Sequence, residues 1–292
     1  MAHLKKTLIL GTVKGLSLEE IRPFFLSLEK TGYRGDLAIL VNSVDRTTLE
    51  FLQSRRISLV PFEHASLGPL SKWFRRLSKI FLTQSQQEWS TRQMALARIY
   101  KNCARFFYYQ SYLKQCGFNY DHVMLADVRD ILFQRDPFDF EIPDGLSVFM
   151  EDRSRTIGTC ISNSTWIRNG FGDAVLKELH DRPISCSGTT IGTVPALLDF
   201  LDRILPIFAA YQQSGTIDQA THNYILNKQP PERVRRFDND SGPILTMANV
   251  DPANFRFNEA GLMVNATGRI YNTLHQYDRF PELAKKLIAT LT

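Results

Sequence analysis

Between Lys6 and Phe62 the chain alternates short apolar runs with segments of helical spacing, and this alternation restricts the fold more than any other feature. Lys6–Thr12 (KTLILGT) is a compact apolar run that closes on Gly and Thr, as a buried strand does. Ser17 can cap a helix, with Glu20 completing a capping box. Ile21, Phe24, Phe25 and Leu28 follow at helical spacing until Gly32. Asp36–Asn42 reads as a second strand, Arg46–Ser54 as a second helix and Ile57–Phe62 as a third strand. The order predicts an α/β fold: a mostly parallel sheet flanked by helices, with right-handed connections.

Farther along, residues 64–90 look irregular. Within them, residues 70–82 could form an amphipathic helix, with Lys72, Arg75, Arg76 and Lys79 on one face and Trp73, Leu77 and Ile80 on another. Such a helix serves either peripheral contact with a membrane or plain packing of its apolar face on the domain. A long helix, rich in aromatic core residues, is expected over Ser90–Lys114. Strands follow at Asp121–Ala126 and Leu146–Met150, and helices at Thr165–Leu179, Val194–Tyr211, 216–227 and Pro281–Leu291. Pro230 and Pro231 break the chain, and residues 232–275 read as strand and loop.

A chain of 292 residues can bury a sizeable core without staples. Cys103, Cys116, Cys160 and Cys186 form no CxxC pair and are expected as free thiols. The apolar run Thr7–Leu10 is too short for a signal segment, and no stretch reaches the roughly 18 apolar residues of a membrane span. A cytoplasmic protein is the expectation. The net charge of +5 favours anionic ligands such as nucleotide phosphates. No zinc-finger spacing or RNP signature accompanies it, so nucleic acid is not an expected partner.

The richest segment is HVMLADVRDILFQRDPFDF, where an apolar strand runs into Asp127 and Asp130. Ligands of open α/β sheets bind beyond the carboxyl ends of the strands. Two carboxylates there repel unless a cation or an arginine lies between them. A hard divalent cation suits oxygen ligands and can bridge the phosphates of a nucleotide. The bland alternative is an Asp-rich turn with Arg129 pairing to one of the two.

The pattern of apolar strand, DxxD and then Asp136-Pro137-Phe138 resembles the GT-A glycosyltransferases, both glycogenin-like enzymes and the glycosyltransferase domains of collagen lysyl hydroxylases. Three further segments follow in that family's order: Ser185–Gly192 (SCSGTTIG), Asp218-Gln219, and His275 within LHQYD. Cys186 departs from the Asn usual in the family. The resemblance implies one GT-A domain over 1–292, with a nucleotide-binding half at about 1–150 and an acceptor-side half at about 151–292. It implies transfer of a hexose from a nucleotide diphosphate sugar, of the UDP type, to a glycan, lipid-linked or protein acceptor. Manganese or magnesium would be held by Asp127, Asp130 and His275.

The same comparison suggests roles for single residues. Thr12, Val13 and Lys14, in the loop read after the first strand, would hold the nucleotide. Arg105 (with Arg98 as competitor) and Asp127 would face the diphosphate or sugar, and Gly188, read as part of a turn, would let the donor approach the backbone. Asp218 and Gln219 are the candidates beside the reacting carbon; a helix N-cap is the bland role for Asp218. His3, His64, His122, His180 and His222 read as structural. Two other functions fit the acidic motif: a metal-dependent nucleotidyl- or phosphotransferase, and a non-catalytic glycan- or membrane-binding module.

Overall fold

The computed structural model describes residues 5–62, 101–116, 119–211 and 217–292. The 70–82 segment, Arg98 and the expected start of the long helix lie outside the described residues.

The first half alternates as its pattern dictates. Strand β1 is Thr7–Lys14, helix α1 Leu18–Lys30, β2 Asp36–Asn42, α2 Arg46–Gln53 and β3 Ser58–Pro61. Ser17 and Glu20 form the capping box at α1, the Glu20 carboxylate accepting from the Ser17 amide at 2.8 Å. Asp45 caps α2 by accepting from the Thr48 amide at 2.7 Å. Helix α3 (Lys101–Cys116) leads to β4 (His122–Asp127), β5 (Ile131–Phe133) and β6 (Leu146–Met150). Next come α4 (Ile161–Leu179), β7 (Ser185–Gly192), α5 (Val194–Ala210) and α6 (Asp218–Lys228). The chain closes with β8 (Val234–Phe237), β9 (Ile244–Thr246), β10 (Arg256–Phe257), β11 (Met263–Val264), β12 (Thr273–His275) and α7 (Pro281–Leu291).

The main sheet runs β3-β2-β1-β4-β7-β6-β8, and β7 alone opposes its neighbours. Side chains alternate across it. Leu8, Leu10, Val123 and Val148 face α3 and α5, whereas Ile9, Val13, Ile39 and Met124 face α1. With both faces covered, the central strands must be apolar throughout. Phe24 of α1 meets Phe25 and Phe133 edge-on, at centroid distances of 5.1 and 5.0 Å. Truncating this buried ring to alanine should cost about 3–5 kcal/mol. A small sheet, β5-β12-β9, packs with α7 around Leu245, Leu274 and Leu287.

Several expectations are corrected. Strand β1 continues through Lys14, so Thr12, Val13 and Lys14 form its carboxyl end and the loop starts at Gly15, whose φ is 62°. The SCSGTTIG segment, expected as a turn, is the strand β7. It lies between β4 and β6 with both faces covered, so no alternation marks it. The DILF segment holds the unanticipated strand β5. Helix α4 begins at Ile161 and is interrupted at Gly172, whose φ of 86° is not helical. All four cysteines are free. No helix among the described residues is long and apolar enough to cross a membrane.

Candidate active site

Strands β1 and β4 are parallel neighbours, with Thr12 opposite Asp127. Their carboxyl ends therefore open on the same edge. The turn after β4 is pinned by Val128, which is buried while its neighbours Asp127 and Arg129 stay more open. Beyond the turn, β5 pairs antiparallel with β12, setting His275 opposite Ile131. This register brings a residue from the far end of the chain beside Asp130. Gln276, in the left-handed conformation at φ 64°, donates its amide to the Asp130 carbonyl at 2.7 Å and locks the approach.

One ligand-type atom each from Asp127, Asp130 and His275 lies within 4.8 Å of the others. His275 is 1% exposed, and its Nε2 stands 3.5 Å from Asp130 Oδ1. Neither atom makes a hydrogen bond, although both are buried. Buried polar atoms without partners are uncommon, and here they face one another. Gly188 keeps the space open. A Cβ there would fall 2.4 Å from His275 Cε1 and 2.8 Å from Asp127 Oδ2. Two carboxylates and an imidazole around a space that admits no side chain fit a divalent cation.

The charges agree with that fit. Burial pushes the Asp127 carboxyl up; Arg105 opposes this and the nearby Asp130 reinforces it. Burial works against Asp130 too, but the His275 charge outweighs it and holds that carboxyl below its ordinary value. Burial disfavours a charge on His275, yet the Cys186 sulfur and the Asp130 carboxylate hold its pKa above the usual histidine value. A bound cation would take over the proton's place between these groups.

Arg105 comes from α3 and is 15% exposed at its side chain. It pairs with Asp127 and, at 3.4 Å, with Asp218 Oδ2. Burial opposes its charge, but Asp127 outweighs this and keeps the guanidinium firmly protonated. Asp218 is the first residue of α6. The N-cap position belongs to Ile217, so Asp218 is not a cap, and its Oδ1 is buried without a partner. Arg129 pairs with neither motif carboxylate; its guanidinium lies 3.0 Å from Asp278.

These groups border a cavity of about 560 Å³ at the sheet edge, a size that suits a small ligand. Thr12, Lys14, Arg105, Asp127, Asp130 and Asp218 line it, all singled out from sequence. Val13 does not: on a strand its side chain points opposite to those of Thr12 and Lys14, into the core against α1, and it is fully buried. Gln219 also stands behind the cavity wall. Its Oε1 accepts from the Ser187 amide at 2.8 Å, and its Nε2 faces Ser185 O, Glu151 Oε1 and Asn163 Oδ1 at 3.0–3.3 Å. Both ends of that side chain are engaged, and they fix β7 just ahead of Gly188.

Gly15, at the end of the loop read after β1, also lines the cavity, whereas sequence reasoning missed Leu16, Glu20, Val128 and Arg129. The end of β1 pointed to Leu16; nothing local marks Glu20, which doubles as the cap partner of Ser17. It also missed Glu151, which donors from Gln219 and Asn249 (2.8 Å) surround and whose carboxyl burial pushes up to about 7.

No protein-family model matches the chain, and no curated protein matches its sequence. Solved structures do. An active-site mutant of LgtC aligns at a TM-score of 0.50 with 11% identity, over 96% of this chain and 95% of that one. The galactosyltransferase LgtC with donor and acceptor sugar analogues gives 0.48 at the same identity and coverage. The glycosyltransferase GlyE of Streptococcus pneumoniae TIGR4 gives 0.41 at 11% identity, over 80% of this chain and 45% of that one. At such identity the likeness is one of fold. A mixed, mostly parallel sheet between helices, aligned with LgtC along nearly its whole length, gives this chain the GT-A fold of the glycosyltransferases.

Proposed function

We propose that the chain is a metal-dependent glycosyltransferase that moves a hexose from a nucleotide diphosphate sugar, of the UDP type, to a glycan, lipid-linked or protein acceptor. One observation carries the reading: Asp127 and Asp130, grouped with the buried His275, line a cavity together with Lys14, Arg105 and Asp218. In this reading the half at about 1–150 holds the nucleotide and the half at about 151–292 faces the acceptor.

Asp127, Asp130 and His275 Nε2 would hold manganese or magnesium, which when bound offsets the charge growing on the leaving diphosphate. Thr12, Lys14 and the open backbone at Gly15 bind the nucleotide at the end of β1. Arg105, paired with both, orients Asp127 toward the ion and Asp218 toward the sugar. Asp218, with one oxygen left over, accepts a hydrogen bond from a sugar hydroxyl or faces positive charge at the anomeric carbon. Gln219 acts through β7, keeping Gly188 where the donor passes.

Thermal shift tests the reading. Stabilisation by UDP only in the presence of manganese is the expected result, followed by release of hexose from one member of a UDP-sugar panel. Stabilisation by nucleoside triphosphates alone points to a nucleotidyl- or phosphotransferase. Silence toward every nucleotide points to a binding module. Either of the latter outcomes overturns the proposal.

A further inference from the structure

We propose that Cys186 is the positioning residue of the metal centre: its sulfur accepts the Nδ1 proton of His275 and so commits Nε2 to the ion. The inference rests on the reading of Asp127, Asp130 and His275 as a cation site.

A neutral imidazole donates from one nitrogen and accepts at the other, and a metal takes the accepting one. At 1% exposure His275 is sheltered from bulk solvent. The choice falls to its neighbours. Nδ1 lies 3.6 Å from Cys186 Sγ, within hydrogen-bond reach of sulfur, whereas Nε2 has no hydrogen-bond partner and faces the two carboxylates.

The neighbours of the sulfur favour one direction for the contact. Gln276 Oε1 accepts from the Ala248 backbone amide at 3.2 Å, and an amide nitrogen can only donate. That fixes the Gln276 carboxamide, so its NH2 end faces Cys186 Sγ at 3.7 Å. The sulfur therefore faces a donor on that side, and its contact with His275 reads the same way, Nδ1–H donating to Sγ. The opposite tautomer would turn an Nε2–H toward Asp130 Oδ1 at 3.5 Å, longer than the usual N–H···O range of about 2.7–3.2 Å. Metal-binding histidines commonly give their other N–H to a carboxylate or carbonyl. Here a thiol on β7 takes that place, and the same strand carries Gly188 two residues on. One strand thus both clears the space for the ion and turns the imidazole toward it.

The test compares the wild type with Cys186→Ser, Cys186→Val and Cys186→Ala by titration with manganese, following free Mn2+ by electron paramagnetic resonance. Melting curves in EDTA run alongside. Serine keeps an acceptor and should bind Mn2+ within about fivefold of the wild type. Valine and alanine remove the acceptor and should weaken binding about 10–100-fold, the usual range for a lost outer-shell partner. Valine crowds and alanine does not, so a shared loss reports the acceptor rather than the packing. If the alanine variant binds Mn2+ as tightly as the wild type, or serine falls as far as alanine, Cys186 is only packing and the proposal is overturned. If the wild type itself binds neither Mn2+ nor Mg2+, the cation reading fails first and takes this inference with it.

Discussion

Replacing Gly188 with alanine puts a methyl group into the space between His275 and Asp127. The backbone permits it, because Gly188 is not among the glycines of positive φ. The side chain does not fit. Its Cβ would stand 2.4 Å from His275 Cε1, against 3.4 Å for the closest ordinary contact, so the imidazole or the strand must yield by about 1 Å. Metal ligands tolerate displacements of about 0.2 Å. A shift five times larger removes His275 from the coordination sphere. Manganese affinity should fall by at least about 100-fold, equivalent to roughly 2.7 kcal/mol. The fold absorbs a smaller insult: crowding a packed site costs about 1–3 kcal/mol. That lowers the melting temperature by several degrees and leaves the protein folded at 25 °C. The assay is Mn2+ titration of both proteins, paired with melting curves with and without the metal. An alanine variant that still melts higher with manganese, and binds it within threefold of the wild type, refutes the geometry.

Three other perturbations probe neighbouring claims. Asp130→Asn keeps the shape but removes a ligand charge; transfer or donor hydrolysis should drop about 100-fold or more with the melting curve unchanged, and retained turnover ends its metal role. Arg105→Ala leaves half-buried Asp127 and buried Asp218 without their shared cation, at a cost of up to about 3 kcal/mol in urea unfolding; added manganese should recover part of it, and coincident curves would discount the Arg105 pairing. His222 is buried against Ser185 Oγ at 2.9 Å, and burial pushes its pKa from 6.5 to about 3. The unfolded chain takes up this proton first as pH falls, so the group's stabilisation is present above pH 6.5 and is lost toward pH 3, by about 1.4 kcal/mol per unit. The stability difference between wild type and His222→Gln should shrink across that window, and a difference that does not change with pH refutes the neutral buried histidine.

What was legible in the sequence follows the range of the forces involved. The α1 cap and its stripe of Ile21, Phe24, Phe25 and Leu28 are local, and both appear where the spacing puts them. Asp127 and Asp130 were legible because an apolar strand points at them. His275 was found only through its order relative to other motifs; its place depends on pairing β12 with β5, three residues against three, too short to register as periodicity. Strand β7 escaped because a strand covered on both faces shows no alternation, and Ser, Thr and Gly read as a turn. Val13 was a different failure. The alternation of Thr12 and Lys14 against Val13 was present in the sequence and would have excluded it, had the strand been carried two residues farther. Gln276's grip on Cys186, and Arg105's on two carboxylates from distant segments, are tertiary facts with no local trace.

The weave of the sheet has a consequence for how such a protein comes into being. During synthesis Asp127 and Asp130 emerge early, but their imidazole partner sits at position 275, and the strand that shapes the space between them is threaded into the middle of the sheet in the interim. Among the described residues ahead of the acidic turn, Arg105 is the one that pairs with Asp127. A guanidinium built into the preceding helix can thus meet the Asp127 carboxylate while residue 275 is still to come.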